Sequence, residues 1–305
     1  MQNWRKLDFN YCPDGSNADL FSHAAVPFIG EINNGVLRVY FSARNKENQS
    51  NIGAIDLEIS TLEVKTIYGH SFLKPGNLGS FDYDGVMGCQ LIDLNQEKYL
   101  TYLGWNLGVS VPFRNAIGIA KLCGNEFQRI FDGPVLDRSI YDPCFVASNH
   151  VIKIGEKYLM YYLSCVKWEK VNNEFRHYYH LKIADSNDGL KWTPTGKIAI
   201  DFFYDDEYAI SVPRVIYEDG IYKMWYSYRG GKISENYRVG YAESANAIDW
   251  QRKDDLVGLS TSENSWDSEM ICYPYVFDFE NNRYMLYNGN GYGKTGFGLA
   301  ILDNE

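Results

Sequence analysis

A repeat of about sixty residues is the feature that most constrains the fold of this chain. Five apolar segments each end in a small residue, at positions 42, 104, 164, 227 and 289, with steps of 62, 60, 63 and 62 residues between them. The segments are LRVYFS (37–42), YLTYLG (99–104), MYYLS (160–164), KMWYS (223–227) and MLYNG (285–289). Repetition at a fixed period of this length is typical of folds built from equivalent units.

Each repeat has room for four β-strands. One series of apolar runs precedes the segments, as in AAVPFIG and GCQLIDL, and another follows them, as in NIGAIDL and NAIGIAKL. The runs are short, alternating and bounded by Gly, Asn and Asp, and long helical periodicity is missing, which indicates strands. The sequence therefore predicts an all-β, five-bladed β-propeller with four-stranded blades around a central channel. A pair of β-sandwiches is the alternative, but it would not need five copies in phase.

The chain is predicted to be a single propeller domain over residues 1–305, because no linker or low-complexity segment interrupts the repeats. It begins without an apolar leader, and no run approaches the roughly 18 apolar residues of a membrane span. These features predict a cytoplasmic protein. A net charge of −10 argues against nucleic acid or an anionic membrane as the partner. The six cysteines lack metal-type spacing and are expected to be buried free thiols.

Acidic residues recur just before the first strand of the repeats. In a propeller these positions converge at one mouth of the channel. The five positions are occupied by His23, Asp84, Asp142, Glu207 and Glu269. Acids that share a cleft have shifted pKa values and suit general acid–base chemistry. A single acid there is as well explained by turn capping or a bond to a neighbouring blade. The phased set of four acids favours a catalytic site.

Basic, aromatic and amide groups recur near the same expected mouth. An arginine there would hold the carboxylates ionised, bind a carboxylate or phosphate of a ligand, or form a structural ion pair. The tryptophan would offer a stacking platform, and the asparagine an amide that binds hydroxyl groups. The predicted substrate-binding residues are His23, Arg44, Trp105, Asn106, Arg114, His180, Arg214 and Arg229. His177, close to His180 in RHYYHLK, is a further histidine that could serve the pocket or lie on an exposed loop.

The five-unit pattern and the acids resemble the five-bladed propeller glycoside hydrolases of families 43, 32, 62, 68 and 130. The likeness covers essentially the whole chain as a fold pattern, with the Asp-Pro of YDPCF as its best motif. The phrases YFSARN, DDEYAISVPR, WDSEMICYP and YNGNGYGKTGFG are similar to family-43-like proteins. The resemblance implies a carbohydrate or glycoside as the small-molecule partner.

Family 43 uses three acids from successive blades as general base, pKa modulator and general acid. The resemblance implies these roles for Asp84, Asp142 and Glu207 respectively, with Glu269 as the rival for the acid. The family has its base Asp in the first blade, where this chain has His23. Either the blade order is rotated by one, or the base is absent and the chemistry has changed.

Three functions follow as hypotheses. The first is a glycoside hydrolase in which Glu207 protonates the leaving oxygen and Asp84 activates water. The second is a glycosyltransferase or phosphorylase with an anionic donor, favoured if the arginines cluster without acidic partners. The third is a non-catalytic propeller that binds a glycan or a protein, favoured if the acids are all engaged in structural hydrogen bonds. No cofactor is predicted; an oxygen-rich channel would suit calcium, but no compact ligand loop supports it.

Overall fold

Nearly all regular structure in the computed structural model of the protein, which describes residues 1–231 and 234–303, is β. The strands are β1 (Trp4–Tyr11), β2 (Ser22–Asn33), β3 (Val36–Arg44), β4 (Ser50–Glu58), β5 (Glu63–Ile67), β6 (Gly85–Leu94), β7 (Glu97–Leu107), β8 (Phe113–Cys123), β9 (Glu126–Arg129), β10 (Phe145–Ile154), β11 (Lys157–Val171), β12 (Glu174–Ser186), β13 (Thr193–Ile200), β14 (Glu207–Glu218), β15 (Ile221–Gly230), β16 (Ser234–Ser244), β17 (Gln251–Arg252), β18 (Cys272–Phe279), β19 (Asn282–Asn288) and β20 (Phe297–Leu302). A helical turn, α1 (Asn290–Gly293), and a 3₁₀ turn (Asp254–Leu256) accompany them. The all-β prediction is confirmed.

The strands form five groups of four, called units 1 to 5 below. Units 1 to 4 are β2–β5, β6–β9, β10–β13 and β14–β17, and each is an antiparallel set. Unit 5 joins β18–β20 to β1, because β1 pairs with β20 in antiparallel register. The five segments of the sixty-residue repeat lie in the second strand of each unit. The repeat seen in the sequence is therefore the period of the units.

The first strand of each unit is linked to the neighbouring unit by a hydrogen bond from a backbone amide to a side chain, and the five bonds close a circle. The donors are the amides of Val26, Gly88, Val151, Val212 and Tyr273, and the acceptors in the same order are Asn288, Ser42, Gln90, Ser148 and Ser227, with donor–acceptor distances of 2.7 to 3.3 Å. They join unit 1 to unit 5, and units 2, 3, 4 and 5 each to the unit before. A buried amide that found no partner would cost free energy, so these side chains fix how neighbouring units meet.

Apolar packing fills the space between neighbouring units. One cluster joins units 2 and 3 through residues such as Ile119, Val146 and Tyr162, and another joins units 3 and 4 through residues such as Ile183 and Met224. Strands that are apolar on both faces are expected where sheets pack face to face on each side. All six cysteines are free thiols, as predicted; three are buried and three are half-buried.

A second repeated device clamps an acid of the preceding loop against its own unit. In unit 2, Asp82 accepts hydrogen bonds from the Tyr102 hydroxyl at 3.1 Å and from Arg129 Nε at 2.7 Å. In unit 5, Asp267 accepts from the Tyr287 hydroxyl and from Lys6 of β1. Both carboxylates are buried. Each acid stands 20 residues before its tyrosine, so the clamp repeats with the units.

Replacing Asp267 with alanine tests this clamp. The variant loses charge-assisted bonds to Tyr287 and Lys6, so we expect the free energy of unfolding to fall by about 2–3 kcal/mol. Urea unfolding followed by tryptophan fluorescence measures it. Asp8→Ala, an exposed position on the same strand as Lys6, is the matched control and should change stability by less than about 0.5 kcal/mol. Equal stability of the two variants would show that the clamp contributes nothing.

Candidate functional site

A concave feature lined by all five units lies where their first strands begin. It consists of two adjoining cavities of about 410 Å³ and 400 Å³, which we call the apolar lobe and the basic lobe of the mouth cavity. The lobes share the lining residues Arg44, Met87, Phe113, His177, Tyr179, Tyr237 and Tyr273. All five units contribute to the lining, and volumes of this size suit a small organic ligand. Among the residues that the structure describes, neither lining contains an aspartate or a glutamate.

Irregular backbone shapes the wall of this cavity. His23, Val26, Val212 and Tyr273 have positive φ angles of 63°, 50°, 48° and 56°, and all four line the cavity. A positive φ is a genuine outlier for a β-branched valine and costs of order 1–3 kcal/mol. Register shifts in β2, β14 and β18 at these points re-aim the side chains of the strands. The concentration of strained residues at one cavity is typical of a functional site.

Arg44 stands between the two lobes without an acidic partner. Its guanidinium donates to the side chain of Asn48 at 2.7 Å and lies 6.0 Å from the centre of the Trp105 ring. Burial lowers the pKa of Arg44, and no carboxylate bonds to it in the described part of the chain. A cation desolvated in this way gains when an anion joins it.

Arg229 is the second arginine of the basic lobe, and it is enclosed by phenol rings. It donates to the Tyr292 hydroxyl at 2.6 Å, and its guanidinium lies 4.7 Å from the Tyr237 ring centre and 5.0 Å from that of Tyr208. Its Nε is buried and makes no hydrogen bond. Within residues 1–231 and 234–303 it forms no ion pair, so it too is a cation available to a ligand.

Two histidines of the lobe are uncharged at neutral pH. Burial, followed by the charges of Arg44 and Lys294, lowers the pKa of His23 to about 4. Burial and the charge of Arg229 do the same for His177, whose pKa is also about 4. Neutral imidazoles donate or accept hydrogen bonds without adding charge. The lobe thus combines two permanent cations with neutral donors.

Tyrosines complete the basic lobe. The hydroxyls of Tyr179 and Tyr237 are hydrogen-bonded to each other, and burial raises the pKa of each phenol. Tyr273 and Tyr292 lie beside them in the lining. None of these four tyrosines was among the predicted site residues. The position of Tyr179 could have been predicted, because it follows the cavity histidine His177 by two positions on one strand and therefore faces the same side.

The predicted acids do not share this cavity. Asp142 is fully buried and accepts bonds from the hydroxyls of Ser139, Tyr162 and Ser164 at 2.6 to 3.2 Å. Glu207 pairs with Arg252 through both carboxylate oxygens, at 2.7 and 2.9 Å. Both acids have the environment of the clamps described above. The four acids recur in step with the units, as the sequence predicts. Asp142 and Glu207, however, are bonded within their units, and none of the four acids is among the described lining residues of the cavity.

Asp84 and Glu269 occupy different positions. Asp84 is half-buried at the rim of the apolar lobe, where one carboxylate oxygen accepts from the amide of the lining residue Leu107 at 2.8 Å. Glu269 is exposed, and its backbone amide donates to Asn290. Neither side chain forms an ion pair in the described residues. Asp84 is therefore a predicted acid at the rim of the cavity, with one oxygen that accepts no hydrogen bond from the described residues.

The side of the strand decides where the other predicted residues point. Trp105 lines the apolar lobe, whereas the next residue, Asn106, faces away and donates to the Ser80 carbonyl. Arg114 is exposed between two lining residues of β8. His180 is one position from a lining tyrosine and bonds to Asp201 at 2.8 Å instead.

Arg214 lies farther along β14, beyond the bulge. It lines a separate cavity formed with Leu91 and Tyr275, and it lies 4.1 Å from the centre of the tyrosine ring. It therefore does not join the arginines of the mouth cavity.

Residues 1–231 and 234–303 contain no cluster of three or more histidine, cysteine, aspartate or glutamate side chains placed to hold a metal ion. No helix among them has the length and apolar character to cross a membrane.

Solved structures identify the class of fold. The chain superposes with a TM-score of 0.75 on a glycosyl hydrolase from Bacteroides ovatus, at 14% identity over 99% of this chain and 94% of the other. A member of the GH130 family of mannoside phosphorylases and glycoside hydrolases gives 0.71 at 15% identity over 99% and 94%, and a thermostable family-43 glycoside hydrolase gives 0.65 at 17% over 95% and 91%. The fold is that of the propeller glycoside hydrolases, a superfamily of carbohydrate-processing enzymes, as the resemblance had implied.

Relatives in amino-acid sequence identify the family of the chain, whereas the solved structures identify its fold. The chain is 37% identical over 303 residues to the uncharacterised protein Rv1502 of Mycobacterium tuberculosis, covering 99% of both, and it belongs to the same family. A shorter match of 97 residues, at 32% identity, covers 32% of this chain and 33% of a 1,2-beta-oligomannan phosphorylase from Thermoanaerobacter sp.. No protein-family model matches the chain.

Glu207→Gln separates a structural acid from a catalytic one. Its Arg252 partner has a side chain only 10% exposed, so the change leaves a buried cation short of one carboxylate. We expect a loss of about 3 kcal/mol of stability, the low end for a broken buried pair, because Arg252 keeps Asp254. Urea unfolding measures it, with the exposed Glu156→Gln as the control. Wild-type stability would contradict the structural role.

The pKa of His177 predicts a pH dependence. Its folded-state pKa of about 4 lies below the value of 6.5 for a free histidine, so the unfolded chain takes up a proton first as the pH falls. Stability is therefore present above about pH 6.5 and is lost toward pH 4, by up to about 1.4 kcal/mol per pH unit. In His177→Phe the loss between these values should be smaller. Urea unfolding of both proteins at about pH 6.5 and pH 4.5 tests it; equal losses would contradict the assignment.

Proposed function

We propose that this protein is a carbohydrate-active enzyme that acts on a glycosidic bond in the mouth cavity and uses a phosphate-bearing cosubstrate. The observation that carries the proposal is a cavity with two arginines, Arg44 and Arg229, and no acidic side chain in its lining. The chain has a net charge of −10, so the positive charge of this cavity is opposite in sign to that of the whole protein. Guanidinium groups free of acidic partners bind phosphate in charge-assisted pairs.

The proposed architecture is a single five-bladed propeller in which the five units are the blades and the mouth cavity opens the central channel. Support comes from the circle of hydrogen bonds between neighbouring units and from the pairing of β1 with β20. The cytoplasmic location stays a prediction.

The chemistry proposed for cleavage is phosphorolysis. A phosphate oxygen held by Arg44 and Arg229 forms a bond to the anomeric carbon while the glycosidic C–O bond breaks. The leaving oxygen takes a proton from Asp84, so no water is consumed. In the reverse direction the sugar phosphate is the donor, phosphate leaves, and Asp84 takes the proton of the acceptor hydroxyl. The phosphorylase with the short sequence match is consistent with this class of reaction.

Hydrolysis is the second candidate, because the similar folds include those of glycoside hydrolases. It needs two carboxylates on either side of the sugar, about 5–9.5 Å apart. Asp142 and Glu207 are bonded as described, and the described lining of the cavity contains no carboxylate that could face Asp84. A non-catalytic propeller would bind the same ligands without turnover, which the experiments below distinguish.

Arg44→Ala tests the anion site. We expect affinity for inorganic phosphate and for mannose 1-phosphate to fall by about ten- to a hundredfold, as charge-assisted bonds are lost. Isothermal titration calorimetry measures it. Arg114→Ala, which removes an exposed arginine that points away from the cavity, is the matched control and should keep wild-type affinity. Undiminished binding in Arg44→Ala would refute the anion site.

Asp84→Asn tests the proton donor. Turnover of oligosaccharides, including β-1,2-linked mannosides, with phosphate should fall by about 10²- to 10⁴-fold, whereas binding of mannose 1-phosphate is retained. Sugar phosphate release is followed by chromatography. Turnover with water in place of phosphate would favour hydrolysis, and binding without any turnover in the wild type would favour the non-catalytic propeller.

A further inference from the structure

We propose that the phosphate-bearing ligand is a nucleoside diphosphate sugar, whose base occupies the apolar lobe and whose diphosphate lies between Arg44 and Arg229. This inference rests on the proposed function and adds the part of the ligand beyond the phosphate. It would make the protein a glycosyltransferase in which the bond between the anomeric carbon and the diphosphate breaks. The acceptor hydroxyl then forms the new glycosidic bond and gives its proton to Asp84, and the nucleoside diphosphate leaves.

The two lobes share seven lining residues and differ in the rest. The residues found only in the apolar lobe are largely hydrocarbon and aromatic, including Leu103, Trp105, Phe145 and Leu163. The residues found only in the basic lobe include His23, Arg229 and Tyr292. A ligand that fills both lobes must therefore have an apolar or aromatic end joined to an anionic centre.

A second sugar unit is a poor occupant of the apolar lobe. Each hydroxyl of a hexose that leaves water needs a hydrogen-bond partner in the protein. Among the side chains found only in this lobe, those that form hydrogen bonds are Asn48, Trp105, Asn115, Ser148 and Ser211, and the Trp105 indole already donates to Ser50. The lobe shares Arg44, His177 and three tyrosines with the basic lobe, and the hydroxyls of two of these tyrosines already bond to each other. A nucleobase instead presents two aromatic faces and a short polar edge, and one or two amides satisfy such an edge.

Phe113 provides a rigid stacking wall. Its ring makes edge-on contacts with Trp168 at 5.3 Å and His177 at 5.4 Å, and a tilted contact with Phe145 at 5.7 Å between ring centres. A ring held from three sides loses little freedom when a ligand stacks on it. The amide of Asn115, on the same face of β8, lies in the same lining.

Arg44 has the position that a diphosphate requires. It is the charged residue common to both lobes, and no carboxylate competes for it in the described residues. A base stacked near Phe113 would place its diphosphate at Arg44, with Arg229 on the far side toward the sugar. The order base, diphosphate, sugar then follows the order of the lining from apolar to basic.

Calorimetry with UDP, GDP, UDP-glucose and GDP-mannose, each compared with inorganic phosphate and mannose 1-phosphate, tests the inference. We expect at least one nucleotide to bind about tenfold or more tightly than mannose 1-phosphate. Phe113→Ala should weaken that nucleotide by about 5- to 150-fold and leave mannose 1-phosphate unchanged. Arg114→Ala, the neighbouring residue that points outward, is the control. If Phe113→Ala does not fold, Asn115→Ala replaces it, with loss of preference between UDP and GDP as the readout.

Each outcome decides between the two proposals. Binding of phosphate and mannose 1-phosphate that depends on Arg44, without tighter binding of any nucleotide, overturns the inference and leaves phosphorolysis standing. Equal weakening of nucleotide and sugar phosphate in Phe113→Ala also overturns it, because the wall would then serve the sugar. If no anionic compound binds, both proposals fall together.

Discussion

The circle of hydrogen bonds between neighbouring units is the interaction on which the rest of the structure depends. Five backbone amides of the first strands find partners on neighbouring units, in Ser42, Gln90, Ser148, Ser227 and Asn288. Because three of the donors, Val26, Val212 and Tyr273, are strained cavity residues, the bonds that position the units also hold the wall of the site. Stability and function share the same few atoms, so substitutions at these serines would act on both.

The distribution of charge in the protein also follows from bonds that stabilise the units. Acids just before the first strands are used within the units, where Asp82, Asp142 and Asp267 accept tyrosine hydroxyls and Glu207 neutralises an arginine. These four acids therefore stabilise the units, and Arg44 and Arg229 are the charged side chains in the described lining of the mouth cavity. A protein that is acidic as a whole presents a basic cavity, and the field at that cavity concentrates anions more than the net charge suggests.

The sequence predicts the fold well, because a repeat of sixty residues is still recognisable when the boundary of one predicted strand is wrong. The site is less predictable, because neighbouring residues of a strand face opposite sides and an error of one position reverses the inference. Trp105 and Phe113 line the cavity, while Asn106 and Arg114 beside them do not. Whether an acid lacks a basic partner also depends on residues far away in sequence. The residues around Glu207 do not indicate that it pairs with Arg252, 45 residues later. Such pairings become visible only when the strands are placed in space.

The meeting of the two ends of the chain in units 1 and 5 links folding to ligand binding. His23 and Tyr292, from opposite ends of the chain, line the same lobe, so its wall is whole only when unit 1 meets unit 5, to which β1 belongs. Binding of a ligand in this lobe and contact between the two units are therefore linked. A ligand that binds there and is present at a hundred times its Kd would add about 2.7 kcal/mol to the folded state. Such a ligand would make the seam between the two chain ends open less often and resist proteases better.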